Sequence, residues 1–464
     1  MSGLFGVATQ GDCRDTLFYG TDYQSHLGTQ YGGLAVMSDG MRRRIHNISR
    51  RQFKSCFFDD LDELAGPMGI GVISAEDPQP MTLLARFGEF AVAMDGNICN
   101  RDALAAELHA RGMSFGDSTQ GHINSTELVA KLISLGDSVV DGIQKMFDKV
   151  QGAVSVVVLT PDGIYAARDK AGHSPLTVGQ KDGTTAVATE TTAFPNLGLE
   201  TKKALLPGEI VHISPAGLSQ RADGDETCQI CAFLWIYTGF PASSYEGINV
   251  EVVRERCGRN LANGDEVEAD LVSGVPDSGI AHALGYAMGR GVPYRRPLVK
   301  YTPGYGRSYT PPSQEIRDLV AKMKLIPITE VIRGHRIVLC DDSIVRGTQF
   351  KNYTVQKLWN CGARAVHLRI ACPPLMFPCR YNISTRTAEE LAARRAIKAI
   401  EGEAIEDVDA YLDPTSEKYR TMVAWIANDL AVTSLKYQTA DEMVEAIGLP
   451  RERLCLYCWN GCGT

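Results

Sequence analysis

Residues 337–348 read Ile-Val-Leu-Cys-Asp-Asp-Ser-Ile-Val-Arg-Gly-Thr. The four apolar residues at 337–340 predict a strand buried on both faces. Two adjacent carboxylates, Asp341 and Asp342, follow it, and a small-residue loop then leads toward a helical pattern. Such a loop offers backbone N–H groups to a phosphate, and the acids can accept hydrogen bonds from ribose hydroxyls or approach Mg²⁺. The stretch predicts a site for a phosphorylated sugar, although an Asp-Asp pair alone also fits a plain strand end.

A second strand and turn come earlier in the chain. Residues 271–279 read Leu-Val-Ser-Gly-Val-Pro-Asp-Ser-Gly, and strand and helix patterns alternate from there to about residue 371. This alternation predicts an α/β domain with a doubly wound parallel sheet. Ligands of such sheets lie beyond the carboxyl ends of the strands, where both polar turns fall.

The N-terminal half has a different pattern. Short apolar segments recur from residue 2 to about residue 215, with few helical patterns between them. This predicts an α+β sandwich of mostly antiparallel sheets. Residues 216–225 are polar and Gly-rich, which predicts a linker. We therefore expect two domains, at 2–225 and 226–464, the second ending in a helical and cysteine-rich tail.

Composition narrows the class of protein. The chain has 464 residues and a formal net charge of −8, which argues against a nucleic-acid-binding surface. Neither an apolar run of about 18 residues nor a signal peptide is evident, so we expect no membrane span and a cytoplasmic location. The 13 cysteines are better explained as thiols and metal ligands than as a disulfide framework.

Two sets of motifs resemble one known family. Residues 341–348 resemble the PRPP-binding motif of type I phosphoribosyltransferases, in the form found in amidophosphoribosyltransferases. Segments of the N-terminal half resemble the class II glutamine amidotransferase domain, which has an Ntn-hydrolase-like fold; they lie at 3–6, 25–30, 95–100, 125–127 and 167–169. The resemblance runs from residue 2 to 458. It implies an enzyme that makes 5-phosphoribosylamine from PRPP with loss of pyrophosphate, the first step of purine biosynthesis.

The resemblance also implies the site residues. PRPP would be bound by the whole motif, namely Asp341, Asp342, Ser343, Ile344, Val345, Arg346, Gly347 and Thr348. Catalytic roles would fall to Lys300, Arg307, Asp341 and Asp342. Mg²⁺ would be held by Ser278, Asp341 and Asp342. The loop that carries Lys300 and Arg307 is one residue longer than in the family, with Tyr-Thr-Pro at 301–303.

The glutaminase positions depart from the family pattern. Where the family has a nucleophilic cysteine, an arginine, an Asn-Gly oxyanion pair and a substrate-binding aspartate, this chain has Ser2, Leu27, Asp95 with Gly96, and Ser125. The carboxylate-binding arginine of the family is also missing from residues 71–74. We expect a folded but inactive glutaminase; the alternative is that Ser2 acts on another amide.

Four cysteines match iron–sulfur members of the family. The resemblance implies a structural [4Fe–4S] cluster on Cys231, Cys379, Cys455 and Cys458. Four soft ligands also fit structural zinc, which we consider the less favoured occupant.

Three functional hypotheses follow. The first is a phosphoribosyltransferase that uses free ammonia, or an amine delivered by a partner, without hydrolysing glutamine. The second is a PRPP-sensing regulatory protein that no longer catalyses. The third is a glutamine-dependent enzyme with an unusual nucleophile. Family resemblance also implies a homo-oligomer, either a dimer or a tetramer.

Overall fold

A computed structural model describes residues 1–116, 118–119, 121–301, 323–347, 350–382, 385 and 387–462. The N-terminal half contains two antiparallel sheets. The seven strands of the first, in spatial order, are Glu200–Ala204, Thr177–Lys181, Thr184–Ala188, Gly3–Thr9, Met68–Ser74, Tyr31–Met37 and Met41–Asn47. The six strands of the second are Gly217–Ala222, Ile210–Ser214, Gly163–Ala167, Gly152–Thr160, Gly88–Ile98 and Met81–Ala85.

The two sheets pack face to face because their strands carry apolar residues on both sides. In Gly3–Thr9, Leu4 and Ala8 lie in the core between the sheets, whereas Phe5 and Val7 pack beneath an outer helical layer. The second sheet alternates in the same way. The order of layers is helix, sheet, sheet, helix, and the predicted α+β sandwich is confirmed.

The outer layers consist of short helices. On the first sheet lie Arg14–Asp22, Phe53–Phe57, the 3₁₀ turns Phe58–Glu63 and Thr191–Ala193, and Phe194–Leu197. On the second lie Arg101–Ala110, Ser125–Ser134 and Val139–Lys149.

The predicted linker at residues 216–225 is wrong in most of its length. Residues Gly217–Ala222 form an edge strand that pairs with Ile210–Ser214. The polar composition reflects the exposed outer face of an edge strand, which the sequence pattern did not distinguish from a linker. The domain boundary at residues 225 and 226 stays a prediction.

The second half is built on a parallel sheet, as predicted. Its four strands, in spatial order, are Leu271–Gly274, Arg336–Asp341, Ala365–Ile370 and Ser434–Tyr437. The helices around it are Val250–Ala262, Ile280–Arg290, Thr329–Ile332, Gln356–Asn360, Ala392–Glu401, Glu417–Asp429, Ala440–Ile447 and Tyr457–Asn460. Two π-helices, Leu234–Thr238 and Phe350–Val355, and three 3₁₀ turns, Ala388–Glu390, Asp409–Tyr411 and Arg451–Arg453, complete the layers.

The predicted helical tail is interrupted by a strand. Residues Ser434–Tyr437 extend the parallel sheet by pairing with Ala365–Ile370. This strand has only four residues, too few to show a period of two in the sequence.

Four small two-stranded sheets join other segments. They are Ile230–Cys231 with Leu454–Cys455, Ser244–Tyr245 with Ile248–Asn249, Leu298–Lys300 with Leu325–Pro327, and Ser118–Thr119 with His122–Ile123. No helix in the described part of the chain is long and apolar enough to cross a membrane.

Candidate active site

The predicted PRPP loop leaves the carboxyl end of the strand Arg336–Asp341. This strand has a parallel neighbour on each side, Leu271–Gly274 and Ala365–Ile370. Its residues 337–340 are fully buried, as the apolar run predicts. The strand therefore fixes Asp341 at the edge of the sheet where ligands of parallel sheets bind.

Ser278 lies beside Asp341 because the two adjacent strands end at the same edge. The hydroxyl of Ser278 donates a hydrogen bond to Oδ1 of Asp341 at 2.9 Å. Gly279 permits this close approach of the two turns, since a Cβ at that position would lie 2.3 Å from the carbonyl oxygen of Cys340. Two of the predicted magnesium ligands are thus in direct contact.

The two carboxylates are both removed from solvent. Burial, and then the charge of Asp342, raise the pKa of the Asp341 carboxyl well above its ordinary value. The Ser343 hydroxyl donates to Oδ2 of Asp342 at 2.5 Å. Adjacent carboxylates and a hydroxyl form a hard oxygen donor set, and a divalent cation would favour their charged form.

The rest of the loop is held by the helix Ala392–Glu401. The carbonyl oxygen of Val345 accepts a hydrogen bond from the N–H of Ala392 at 2.8 Å. The carbonyl oxygen of Arg346 accepts one from the Arg395 guanidinium at 2.6 Å. These contacts fix the backbone of the loop.

The other residues of the predicted PRPP loop differ in burial and in their contacts. Ile344 is buried, and Gly347 has a φ of +73°, a left-handed conformation that favours glycine. The exposed guanidinium of Arg346 pairs with Glu390 at 2.6 Å. Thr348 lies outside the described residues.

Lys300 approaches the site from a third segment. Its strand, Leu298–Lys300, ends with Nζ 2.6 Å from Oδ2 of Asp277. Asp277 directly precedes Ser278, so this cation stands next to the turn that contacts Asp341. Arg307 lies outside the described residues.

Most of the predicted glutaminase positions lie around a cavity of about 220 Å³ in the N-terminal half. Ser2, Asp95, Gly96 and Ser125 are among the residues that line it. Leu27 is buried but is not among the residues that line this cavity, and its neighbour His26 contacts Glu190 with Nε2 2.9 Å from Oε2. Four of the five predicted positions thus lie together.

Asp95 makes the closest contact to Ser2. The backbone N–H of Ser2 donates to Oδ1 of Asp95 at 2.5 Å, and the N–H of Ala75 donates to the Ser2 hydroxyl at 3.4 Å. Asp95 is only 1% exposed, and its Oδ2 has no hydrogen-bond partner among the described residues. Burial raises the pKa of this carboxyl, with the nearby N-terminal charge opposing the rise.

Further acids line the same cavity. The N–H of Ser125 donates to Oδ2 of Asp77 at 2.8 Å, at the start of the helix Ser125–Ser134. Burial raises the pKa of Asp77, partly offset by that N–H. Glu76 and Arg101 also line the cavity. Neither Asp77 nor Arg101 was predicted from the sequence, because nothing in the local pattern marks them.

The four predicted cluster cysteines line one small cavity of about 20 Å³. The parallel pairing of Ile230–Cys231 with Leu454–Cys455 sets Cys231 directly opposite Cys455. A hydrogen bond with Cys458 lowers the pKa of the Cys379 thiol to about 6. Within the described ranges, no three His, Cys, Asp or Glu side chains are grouped to hold a single metal ion.

His173 is a further residue that the sequence did not single out. It comes from the N-terminal half and lines the cysteine cavity. No local motif predicts this position, because its four cysteine neighbours lie between 58 and 285 residues further along the chain.

Comparison with known proteins agrees with this arrangement. Residues 68–196 match the glutamine amidotransferase domain family. The amidophosphoribosyltransferase of Methanocaldococcus jannaschii is 32% identical over 489 residues, covering 99% of this chain and 97% of that protein. The chain belongs to the amidophosphoribosyltransferase family. It is accordingly a pentosyltransferase, and the predicted family is confirmed.

Two solved structures of similar proteins extend over nearly the whole chain. The glutamine PRPP amidotransferase from B. subtilis, complexed with ADP and GMP, has a TM-score of 0.84 at 29% identity, covering 99% of this chain and 96% of that one. A structure described as the allosteric regulatory enzyme of purine biosynthesis has a TM-score of 0.85 at 29% identity, covering 99% and 95%. Both halves of this chain therefore follow the fold of those proteins.

Proposed function

We propose that this protein forms 5-phosphoribosylamine from PRPP and ammonia and does not hydrolyse glutamine. The carrying observation is the 2.5 Å hydrogen bond from the N–H of Ser2 to the buried carboxylate of Asp95. A carboxylate at this position is unsuited to amide hydrolysis. In the other half, by contrast, the proposed PRPP loop is held in place by the hydrogen bond from Ser278 to Asp341.

The transfer requires no protein nucleophile. The C1–O bond to pyrophosphate breaks, pyrophosphate leaves with the electron pair, and ammonia forms the C1–N bond and loses a proton. Asp341 and Asp342 would accept hydrogen bonds from the ribose hydroxyls and place negative charge near the oxocarbenium-like ring. Loop N–H groups at residues 343–347 would hold the 5-phosphate.

Asp341, Asp342 and Ser278 would hold Mg²⁺, as their hard oxygen atoms suit that ion. When bound, it supplies positive charge that stabilises the leaving pyrophosphate. Lys300, beside Asp277, would add a second cation on the same side of the site.

Among the described residues that line the N-terminal cavity, Ser2 and Asp95 occupy the positions where glutamine hydrolysis needs a strong nucleophile and an oxyanion donor. A serine hydroxyl is a poorer nucleophile than a cysteine thiol near neutral pH. The Asp95 carboxylate would repel a developing oxyanion, which an amide would stabilise. If residue 2 carried a free amino group, the same carboxylate would favour its protonated form and prevent it from acting as a base.

The lining also disfavours a bound amino-acid carboxylate. Glu76 and Asp77 are acids, and Arg101 is the guanidinium among the described lining residues. Arg101 is already shared with Asp102, with Nε 3.4 Å from Oδ1. The α-carboxylate of glutamine would therefore meet like charges where it needs an opposite one.

The proposal is tested directly by comparing nitrogen donors for the reaction. Anaerobically purified protein is incubated with PRPP and Mg²⁺, and pyrophosphate release is measured with ammonium chloride, with glutamine, and with neither. We expect release with ammonium chloride, and with glutamine a rate equal to the background.

The other outcomes distinguish the alternatives. Glutamine-dependent release would overturn the inactive glutaminase and support an unusual nucleophile. Saturable PRPP binding without release under any condition would instead indicate a PRPP-sensing protein.

We also propose a [4Fe–4S] cluster on Cys231, Cys379, Cys455 and Cys458. All four thiols line one cavity, and four cysteine thiolates are the ligands that such a cluster takes. Four irons and four acid-labile sulfides per chain are expected, and zinc in their place would contradict the proposal. An oligomeric assembly and a cytoplasmic location stay predictions.

A further inference from the structure

His173 presents an unusual buried imidazole. Its ring is only 4% exposed, and neither Nδ1 nor Nε2 has a partner with the distance and angle of a hydrogen bond within the described structure, although the Asp169 carboxylate and the Cys455 thiol lie close enough to interact with it. A buried polar group left without a partner destabilises the fold. We therefore expect the ring to gain a hydrogen-bond partner when the protein holds its metal group.

The position of the ring is tightly fixed. It stacks on Tyr381 with ring centroids 3.9 Å apart and an angle of 28° between the planes. Nδ1 lies 3.9 Å from Oδ1 of Asp169, too far for a hydrogen bond. That carboxylate is occupied by the backbone N–H groups of Ala171, His173 and Ser174, at 3.1, 3.2 and 2.8 Å.

The residues that line the cavity beside the ring indicate which group would accept a hydrogen bond from it. His173 lines the cavity that is also lined by all four predicted cluster cysteines. The thiolates already fill the ligand positions of a four-iron cluster, so an additional imidazole is not required as a ligand. An imidazole N–H beside cluster sulfur is a suitable donor, and such hydrogen bonds alter the reduction potential.

We propose that His173 donates a hydrogen bond to a sulfur atom of the cluster, as a positioning residue supplied by the N-terminal half. The inference rests on the proposed cluster. It gives the N-terminal half a direct contact with the metal group of the other half.

The test compares wild-type protein with His173→Phe, which can keep the stacking on Tyr381 but has no N–H donor. A matched control is His212→Phe, since His212 is also buried and packs against a tyrosine, with ring centroids 4.7 Å apart and the planes tilted by 50°, but does not line the cysteine cavity. Iron and sulfide are counted, the midpoint potential is measured, and resonance Raman spectra of the oxidised cluster are recorded anaerobically.

We expect His173→Phe to retain its iron and sulfide. Its potential should shift to more negative values, because the donor stabilises the more negative reduced cluster, and its Fe–S stretching frequencies should rise. His212→Phe should match wild type. His173→Gln, which restores an N–H donor, should fall between wild type and His173→Phe and serves if the phenylalanine variant does not fold.

Three results would overturn the inference. Zinc in the wild-type protein would remove both the cluster and the donor role. A full cluster with unchanged potential and Raman spectrum in His173→Phe would reject the donor role alone. Loss of the cluster from folded His173→Phe and His173→Gln proteins would indicate a ligand instead.

Discussion

Asp341 is the side chain whose chemistry the proposed transfer needs most directly. It ends a buried strand, accepts a hydrogen bond from Ser278 at 2.9 Å and lies next to Asp342. Replacement by asparagine preserves its shape but removes the negative charge that would hold Mg²⁺ and face the ribose. Substitution of this one residue therefore tests the site without disrupting the fold.

We predict that Asp341→Asn lowers ammonia-dependent pyrophosphate release by about 100-fold or more, a loss of the size seen when a charge-stabilising group is removed. Asp441→Asn is the matched control, because its carboxylate is exposed and pairs with Arg451 at the surface. Turnover in Asp341→Asn equal to that of the control would refute the site assignment.

Buried charge links several elements of the parallel-sheet half. Arg369, on the strand Ala365–Ile370, pairs with Asp265, which follows the helix Val250–Ala262, through Nη2 and Oδ1 at 3.1 Å. The hydroxyl of Tyr286, on the helix Ile280–Arg290, donates to the same carboxylate at 2.7 Å. Burial alone would raise the pKa of Asp265, but the arginine and tyrosine outweigh it and lower that pKa to about 2.

This pair gives a prediction for stability against pH. The pKa of Asp265 in the folded state lies below the unfolded value of about 3.9. Its contribution to the free energy of unfolding is therefore complete above about pH 5. The contribution is lost as the pH falls from there through about 2. Asp265→Asn should cost about 3–5 kcal/mol at pH 7, because Arg369 is left buried without its partner.

The difference in free energy of unfolding between wild type and Asp265→Asn should therefore shrink between pH 5 and pH 3. It can be measured by urea unfolding followed by tryptophan fluorescence, since all four tryptophans (235, 359, 425 and 459) lie in this half. A difference that stays constant with pH would contradict the assigned role of the pair.

At the scale of the whole molecule, Glu190 joins the two halves. It is fully buried in the N-terminal half and accepts a hydrogen bond from the Ser243 hydroxyl at 2.9 Å and another from the Tyr245 hydroxyl. On its own side it contacts His26 at 2.9 Å. Burial would raise the pKa of this carboxyl, but His26 and the two hydroxyls lower it.

We predict that Glu190→Gln weakens the coupling between the halves while leaving each fold intact. Tryptophan fluorescence reports only the second half, whereas far-UV circular dichroism reports both. The two thermal transitions should coincide in wild type and separate by several degrees in the variant, the shift expected for about 1–2 kcal/mol. Glu200→Gln, on an exposed edge strand, is the control; coincident transitions in Glu190→Gln would count against the predicted coupling.

The sequence by itself determined the architecture and the location of the proposed transferase site. The apolar run before Asp341 and the polar turn before Gly279 are local patterns, and parallel strands bring their carboxyl ends to one edge whatever else surrounds them. Such information lies within a dozen residues and can be interpreted without coordinates. The short strands Gly217–Ala222 and Ser434–Tyr437 could not be recognised in this way, because their pairing, not their pattern, makes them strands.

Only the tertiary structure decided which distant groups meet. Ser2 and Asp95 are 93 residues apart and form a hydrogen bond, and Glu190 reaches Tyr245 across 55 residues. His173 reaches the cysteine cavity from the other half of the chain. The physical reason is that burial and hydrogen bonding act through space, so the environment of a side chain is set by the packing of whole layers and not by its neighbours in sequence.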